Sequence, residues 1–579
     1  MCKTQQCLLA LLACFYCSSL FAQLNLAIEV HGVSAQLEQN VRLFLSLEQQ
    51  KDSPLLTEDR VRRLHTKASE EIRLALQPYG YYRPTINAAL QQVEAGQWLA
   101  SYTIDTGPPL PIATFDFVLS ETLLQDPAFQ ALVAGLTLRA GAHFNHLEYE
   151  ALKNSLARLA AERGYFRARF VEHRVEIDLT AYVARVQLHY DGGPRYRFGT
   201  VTLAQTVLDP ALLQRYIPFE RGDPYNLQQV IDLQHALNDS DYFEQVEVSP
   251  GAVQEDSQEV PIRVSLTPRK PHRYTLGLGY GTDTGARAKF GWEMPRLNQA
   301  GHRLNTDARI SELGYSLGVR YRVPILNPRT DQMIYSASIV NEQTDTSDST
   351  LRTIGVSLNR GRGLWREAVA LNYQQEEFIV AGDHGESTLL IPGVSWSRTW
   401  GNEFIHVLDG LRFDLGLRGA SEQLLSDTDF FQLQGGLKGI TSLTDSSRLI
   451  ARGQFGSTVT DTFHQLPASV RFFAGGAQSV RGYAYQSLGP IDATGRVVGG
   501  KHLLVGSIEF EHNLGGKWGM AVFYDAGNAI DDLDDKLERG AGLGLRWKSP
   551  IGPVRVDVAS ALTHPGRPWR LHINIGPDL

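Results

Sequence analysis

The stretch Val480-Arg481-Gly482-Tyr483 places one guanidinium in an irregular, glycine-rich segment between about residues 458 and 500. An arginine that stands alone among the small and apolar residues of Gly476–Pro490 needs an anion, and two carboxylates stand downstream at suggestive positions. Around Ile508 and Phe510, the residues on the alternate face are Ser507, Glu509 and Glu511. In the next segment Val522 and Tyr524 alternate with Phe523, Asp525 and Gly527. If the apolar residues of these strands face outwards, Glu509 and Asp525 face a shared interior. Arg481 is therefore predicted to fold inward and to bond Asp525, Glu509 or both. Arginine suits this role because its planar fork bonds carboxylates bidentately and stays charged. Gly475, Gly476 and Gly482 allow the sharp turns that the tip requires. The predicted chemistry is a salt-bridge lock that pins a plug.

Other patterns that could signal chemistry lack their context. Gly314 to Gly318 reads GYSLG, but a nucleophile elbow needs a strand, a turn and then a helix. Here strand alternation simply continues into VRYRVP. The spaced glycines from Gly277 to Gly285 precede no helix, so they do not read as a dinucleotide loop. His143 and His146 have no third ligand in view, and Arg221-Gly222-Asp223 reads as turn chemistry. No enzyme activity, cofactor or metal is expected. The net charge is −8, with no basic block, which argues against a nucleic-acid partner.

The elements around the lock are strands. After Lys270, apolar residues alternate with glycine or polar ones. Tyr274, Leu276, Leu278 and Tyr280 oppose Thr275, Gly277 and Gly279; Ala541, Leu543, Leu545 and Trp547 oppose Gly540, Gly542, Gly544 and Arg546. Val554, Val556 and Val558 oppose Arg555 and Asp557; Trp569, Leu571, Ile573 and Ile575 oppose Arg570, His572 and Asn574. About sixteen such segments fill the chain from Pro271 to Leu579, the pattern of a transmembrane barrel, greasy outside and wet inside. Past the N-terminal segment no apolar run reaches the ~18 residues a membrane helix needs, so any span must be a barrel. Closure would pair the first strand with the last: Tyr274, Leu276, Gly277, Leu278 and Gly279 against Leu571, Ile573, Ile575 and Gly576, with Leu278 near Ile573. Glycines and the Gly576-Pro577 ending should leave this seam short of hydrogen bonds.

Residues 1–22 read as a secretory signal, with Lys3, an apolar core from Leu8 to Tyr16 and a cut after Ala22. All four cysteines (Cys2, Cys7, Cys14 and Cys17) lie within it, so the exported chain is expected to carry no disulfide. Residues 23–268 repeat themselves. Gly141-Ala-His-Phe144-Asn145 and Gly222-Asp-Pro-Tyr225-Asn226 each open an amphipathic helix, followed by Tyr165-Phe166 or Tyr242-Phe243 and a strand. A weaker copy carries Tyr81-Tyr82. Three modules of β-α-α-β-β pattern are predicted, at 23–107, 108–192 and 193–268, ahead of a barrel at 269–579.

The modules resemble POTRA domains. The set Val480-Arg481-Gly482-Tyr483, Glu509 and Phe523-x-Asp525-x-Gly527 resembles the motifs of the POTRA-plus-barrel superfamily of outer-membrane insertases and transporters. Three modules, sixteen strands and the ending SPIGPVRVDVASAL…WRLHINIGPDL look like its TamA branch. The resemblance implies tandem α+β POTRA domains and a 16-stranded all-β barrel in the outer membrane. It also implies a loop tip held by the acid of the thirteenth strand. Implied partners are a TamB-like protein anchored in the inner membrane, unfolded outer-membrane protein clients such as autotransporters, and outer-membrane lipids. The other reading is a two-partner-type secretion pore, a class that typically has two modules.

Overall fold

The computed structural model describes residues 24–253, 256–401, 407–549 and 552–575. The expected signal segment with its cysteines lies outside them, as do Gly576 and Pro577. The chain divides into two compact units. One holds the first two modules and parts of the third; the other holds the barrel and the rest of the third.

The first module runs β1 (Asn25–His31), α1 (Ala35–Phe44), α2 (Ser46–Gln50), α3 (Glu58–Leu76), β2 (Thr85–Glu94) and β3 (Gln97–Asp105). The second runs β4 (Ile112–Leu119), α4 (Glu121–Leu124), α5 (Pro127–Ala134), α6 (His146–Arg163), β5 (Arg169–Asp178) and β6 (Val183–Asp191). The third runs β7 (Arg197–Ala204), α7 (Pro210–Gln214), α8 (Leu227–Asn238), β8 (Phe243–Pro250) and β9 (Glu259–Pro268). In each sheet the last strand is central, in the orders β1-β3-β2, β4-β6-β5 and β7-β9-β8.

The periodicities explain the packing. Tyr149, Leu152, Leu156 and Ala160 recur at helical spacing on α6 and are buried with Ala184, Val186, Leu188 and Tyr190 of β6. Those β6 residues alternate, so one face of the sheet meets one stripe of the helix. Asn145 caps α6 by accepting from Leu147 N at 2.9 Å, and Asn226 accepts from Gln228 N at the start of α8. Two expected helices become three segments in the first two modules. In the second, Pro127 cannot continue α4, so the chain restarts as α5 with Asp126 as its cap.

Asp126 also ties that module together. It is buried, accepts from Ala128 N at 3.0 Å, and takes a bidentate fork from Arg163 at 3.0 and 3.1 Å. Arg195 adds a contact at 3.1 Å. Burial disfavours the carboxylate, but the Arg163 and Ala128 hydrogen bonds outweigh it and hold its pKa below the ordinary value. This stability is therefore present above pH ~4 and lost as pH falls through the depressed folded value. Asp126→Asn is expected to destabilise the second module by ~1–3 kcal/mol at neutral pH and to flatten its acid sensitivity. Hydrogen exchange of α5 and α6 in the full-length protein checks this; wild-type protection at pH 7 would refute it.

The barrel strands β10 (Arg273–Gly281) to β25 (Trp569–Ile575) form one sheet of sixteen in chain order. Leu276, Leu278, Ile310, Leu317, Ile508, Leu543 and Leu571 are exposed along its outer face. So continuous an apolar surface needs a bilayer to cover it. The third module meets the connection between β11 (Gly285–Met294) and β12 (Arg303–Ser311): Tyr242 Oη donates to Gly301 O at 2.6 Å, and the Arg303 guanidinium lies 4.4 Å from the Tyr242 ring.

Candidate functional site: a locked loop beside the seam

The strands that matter are β20 (Ser447–Val459), β21 (His502–Gly515), β22 (Trp518–Ile530), β23 (Glu538–Ser549) and β24 (Gly552–Ala561). The segment between β20 and β21 is not a free coil. Bridges at Phe472–Gly500, Ala474–Leu488 and Ile491–Val497 fold it on itself. Its tip is buried: Val480 is packed with Ala474, Tyr483, Val505 and Ala561.

Arg481 is 3% exposed. Its Nε and Nη2 grip Asp525 at 2.7 and 2.9 Å, and Nη1 reaches Glu509 at 2.6 Å and Asp557 at 3.1 Å. Nη2 also donates to Ser507 Oγ at 3.2 Å, and the Arg481 backbone N–H donates to Asp525. The guanidinium carbon sits 3.4 Å from the centre of the Phe523 ring, a cation–π contact. Every donor direction of the fork is thus used, which a lysine ammonium could not match.

The lock belongs to a larger ionic cluster. Arg546 bonds Glu509 at 2.6 Å, Glu511 at 2.7 Å and Asp557 at 2.5 Å, while Arg448 bonds Glu511 at 2.7 Å. Arg452 lies 3.9 Å from Asp525. In the contacts described, these four guanidiniums face four carboxylates, so their charges largely offset one another at a buried place.

Backbone shape lets the tip in. Gly482 has φ of +99°, and a Cβ there would lie 2.9 Å from the Ser560 carbonyl carbon and Ala561 N. Opposite it, a Cβ on Gly540 would lie 1.9 Å from Arg481 O, so the glycine-rich face of β23 leaves room for the loop. Tyr483 Oη donates to Glu538 at 2.7 Å. Gly527 pairs with Val505 in the β21–β22 ladder, beyond direct reach of the arginine.

Of the residues singled out from sequence, Arg481, Glu509, Phe523 and Asp525 come together directly. Asp557, Arg546 and Ser507 complete the site and were not assigned to it. Their signal was the same alternation, which puts Asp557 and Arg546 on the inner face of their strands.

The seam differs in register from the expectation. Among the described residues no backbone hydrogen bond joins β10 to β25. Ile573 N donates to Thr282 Oγ1 at 3.2 Å, beyond the end of β10, so Ile573 does not face Leu278. Extended antiparallel from that contact, Ile573 to Ile575 reach only the top of β10, near Tyr280 and Gly281. Leu276, Gly277, Leu278 and Gly279 then have no described partner on that side. The physical reason is that no hairpin connects these two strands, so no turn fixes their register. Tyr274 and Leu571 lie on the outer face, and Gly576 falls outside the described residues.

A profile of the Omp85 superfamily domain matches residues 270–578. The chain belongs to that superfamily. A profile described as POTRA domain TamA domain 1 matches residues 27–106, and one described as POTRA, surface antigen variable number repeat, matches 196–269. As an Omp85 protein with POTRA domains, it places its barrel in the Gram-negative outer membrane and its modules in the periplasm. Outer membrane protein assembly factor BamA of Neorickettsia risticii is 24% identical over 73% of this chain, and BamA of Nitratidesulfovibrio vulgaris 22% identical over 58%. The matches span 60% and 44% of those proteins' own lengths. The crystal structure of Haemophilus ducreyi BamA lacking POTRA domains 1–3 has the same fold, with a TM-score of 0.67 at 17% identity, covering 81% of this chain and 99% of that one.

Proposed function

We propose that this Omp85 protein is a TamA-type assembly factor, which helps insert or translocate outer-membrane proteins such as autotransporters. The observation that carries the reading is a barrel whose first and last strands share no described ladder, beside a loop locked inside it. Edge strands without partners template other strands. A client strand could add to β10 or β25 as the seam parts, and free energy from its own folding would drive the step without nucleotide. The TamA-type match over residues 27–106 supports the branch. The relatives named as assembly factors support the general role. On this reading a TamB-like protein docks on the first module, and phospholipid delivery to the outer membrane is a second cargo of the same pair.

The domain limits 23–107, 108–192, 193–268 and 269–579 are part of the proposal. Deleting 23–107 is expected to leave a barrel that still shows heat-modifiable mobility, while co-purification of the TamB-like protein falls to background. Undiminished capture would remove the first module from the docking role.

A further inference from the structure

The loop tip touches both borders of the seam. Ala477 N donates to Asp283 Oδ2 at 2.7 Å, and Asp283 sits in the turn that ends β10. Five residues on, Gly482 N donates to His572 Nε2 at 2.9 Å, and His572 lies on β25. The approach at the first contact depends on Gly476, whose φ is +100° and whose Cβ, if present, would lie 2.9 Å from Asp283.

The two side chains also face one another. His572 Nδ1 is 3.7 Å from Asp283 Oδ1, and both atoms are buried without another hydrogen-bond partner. Because Nε2 accepts from Gly482, the neutral ring carries its proton on Nδ1, directed at the carboxylate. The four groups make a chain: Ala477 N–H, Asp283, His572, Gly482 N–H. It begins and ends on the loop and crosses the seam between.

We propose that Asp283 and His572 are positioning residues that couple the loop to the seam, forming a latch that holds the tops of β10 and β25 together only while the tip is seated. Ile573 N on Thr282 Oγ1 is the neighbouring tie. Arg481 anchors the tip to β21, β22 and β24, whereas the latch reaches the two strands that must part. Leaving the lock therefore removes support from the seam, and parting the seam withdraws two acceptors from the loop. The coupling is reciprocal, since the same hydrogen bonds serve both. It does not depend on what the barrel carries.

The test uses the full-length protein in lipid nanodiscs. Two readouts run in parallel: maleimide labelling of Val480→Cys, buried in the seated loop, and hydrogen exchange of the peptides spanning 274–283 and 569–575. Asp283→Ala and His572→Ala are each expected to speed both about tenfold. The double variant should add little to either single one. His572→Gln, whose side-chain oxygen can accept from Gly482, should restore most of both. Where Asp283→Ala fails to fold, Asp283→Asn serves, with a smaller rise in both readouts. A variant that frees the loop and leaves seam exchange unchanged makes these residues mere loop anchors and overturns the latch. So does seam exchange that rises while Val480→Cys stays protected, or no change in either.

Discussion

Arg481→Ala is expected to insert as a folded barrel and to release its loop. Asp525 is fully buried, and Glu509 and Asp557 are 7% and 6% exposed. Arg546 still holds Glu509 and Asp557 in the variant. Among the described partners, Asp525 would keep the backbone N–H of residue 481 while the loop stays seated, and as a charged partner Arg452, at 3.9 Å. Removing one partner of a buried ion pair typically costs ~3–5 kcal/mol, against ~0–1 for an exposed pair. Loop anchoring should weaken by the larger figure, enough to shift the loop from nearly always seated to largely free. Arg481→Lys should fall between, because one ammonium cannot fork to Asp525 and also reach Glu509. Protease cleavage within 460–501 reads the effect on the loop, and delivery of an autotransporter client reads it under the proposed assembly role. Pairing Arg481→Ala with Asp525→Ala should cost much less than the two single losses combined, because the stranded charge goes too. A loop in Arg481→Ala as protected as the wild type, with equal delivery, would show that the ion pair does not hold it.

The lock was legible because its parts follow one rule. A period of two assigns every residue of a strand to one face, so Glu509 and Asp525 could be placed inside from their apolar neighbours alone. Strand number and the position of the long loop followed from the same count. Asp557 has the same alternation but lies on β24, two strands beyond β22, and only the curvature of the wall brings it to Nη1 of Arg481. His572 and Asp283 are still less legible. They meet between the first and last strands of the sheet, which are not consecutive in the chain. Where a short turn joins neighbours it fixes the register, as between Gly281 and Gly285 for β10 and β11. The modules were legible as repeats because Asn145 and Asn226 cap equivalent helices. The extra helix break at Asp126-Pro127 needed the cap geometry to be seen.

Under the proposed assembly role, covalent closure of the seam is expected to abolish assembly while sparing the fold. Among the described residues, the polar ties from β25 to the end of β10 and its turn are the Ile573–Thr282 hydrogen bond and the Asp283–His572 approach. A typical hydrogen bond contributes ~0.5–1.5 kcal/mol net, and more where lipid cannot replace it. Parting such a seam is within reach of a folding client; breaking a disulfide is not. The observed register moves the cysteine pair upward from Leu278: Tyr280→Cys with Ile573→Cys, and Tyr280→Cys with Ile575→Cys, both on the outer face. Cross-linking needs Cα atoms within about 7 Å, so whichever pair closes also measures the register. Residues 23–579 contain no native cysteine, and no other thiol competes. Oxidised protein should retain heat-modifiable mobility and lose client insertion, and reductant should restore it. Asp283 and His572 stay intact in these variants, so the latch and the lateral opening are tested separately. If a verified cross-link leaves insertion at the uncross-linked rate, clients do not pass through this seam. The locked loop would then have to gate the lumen itself.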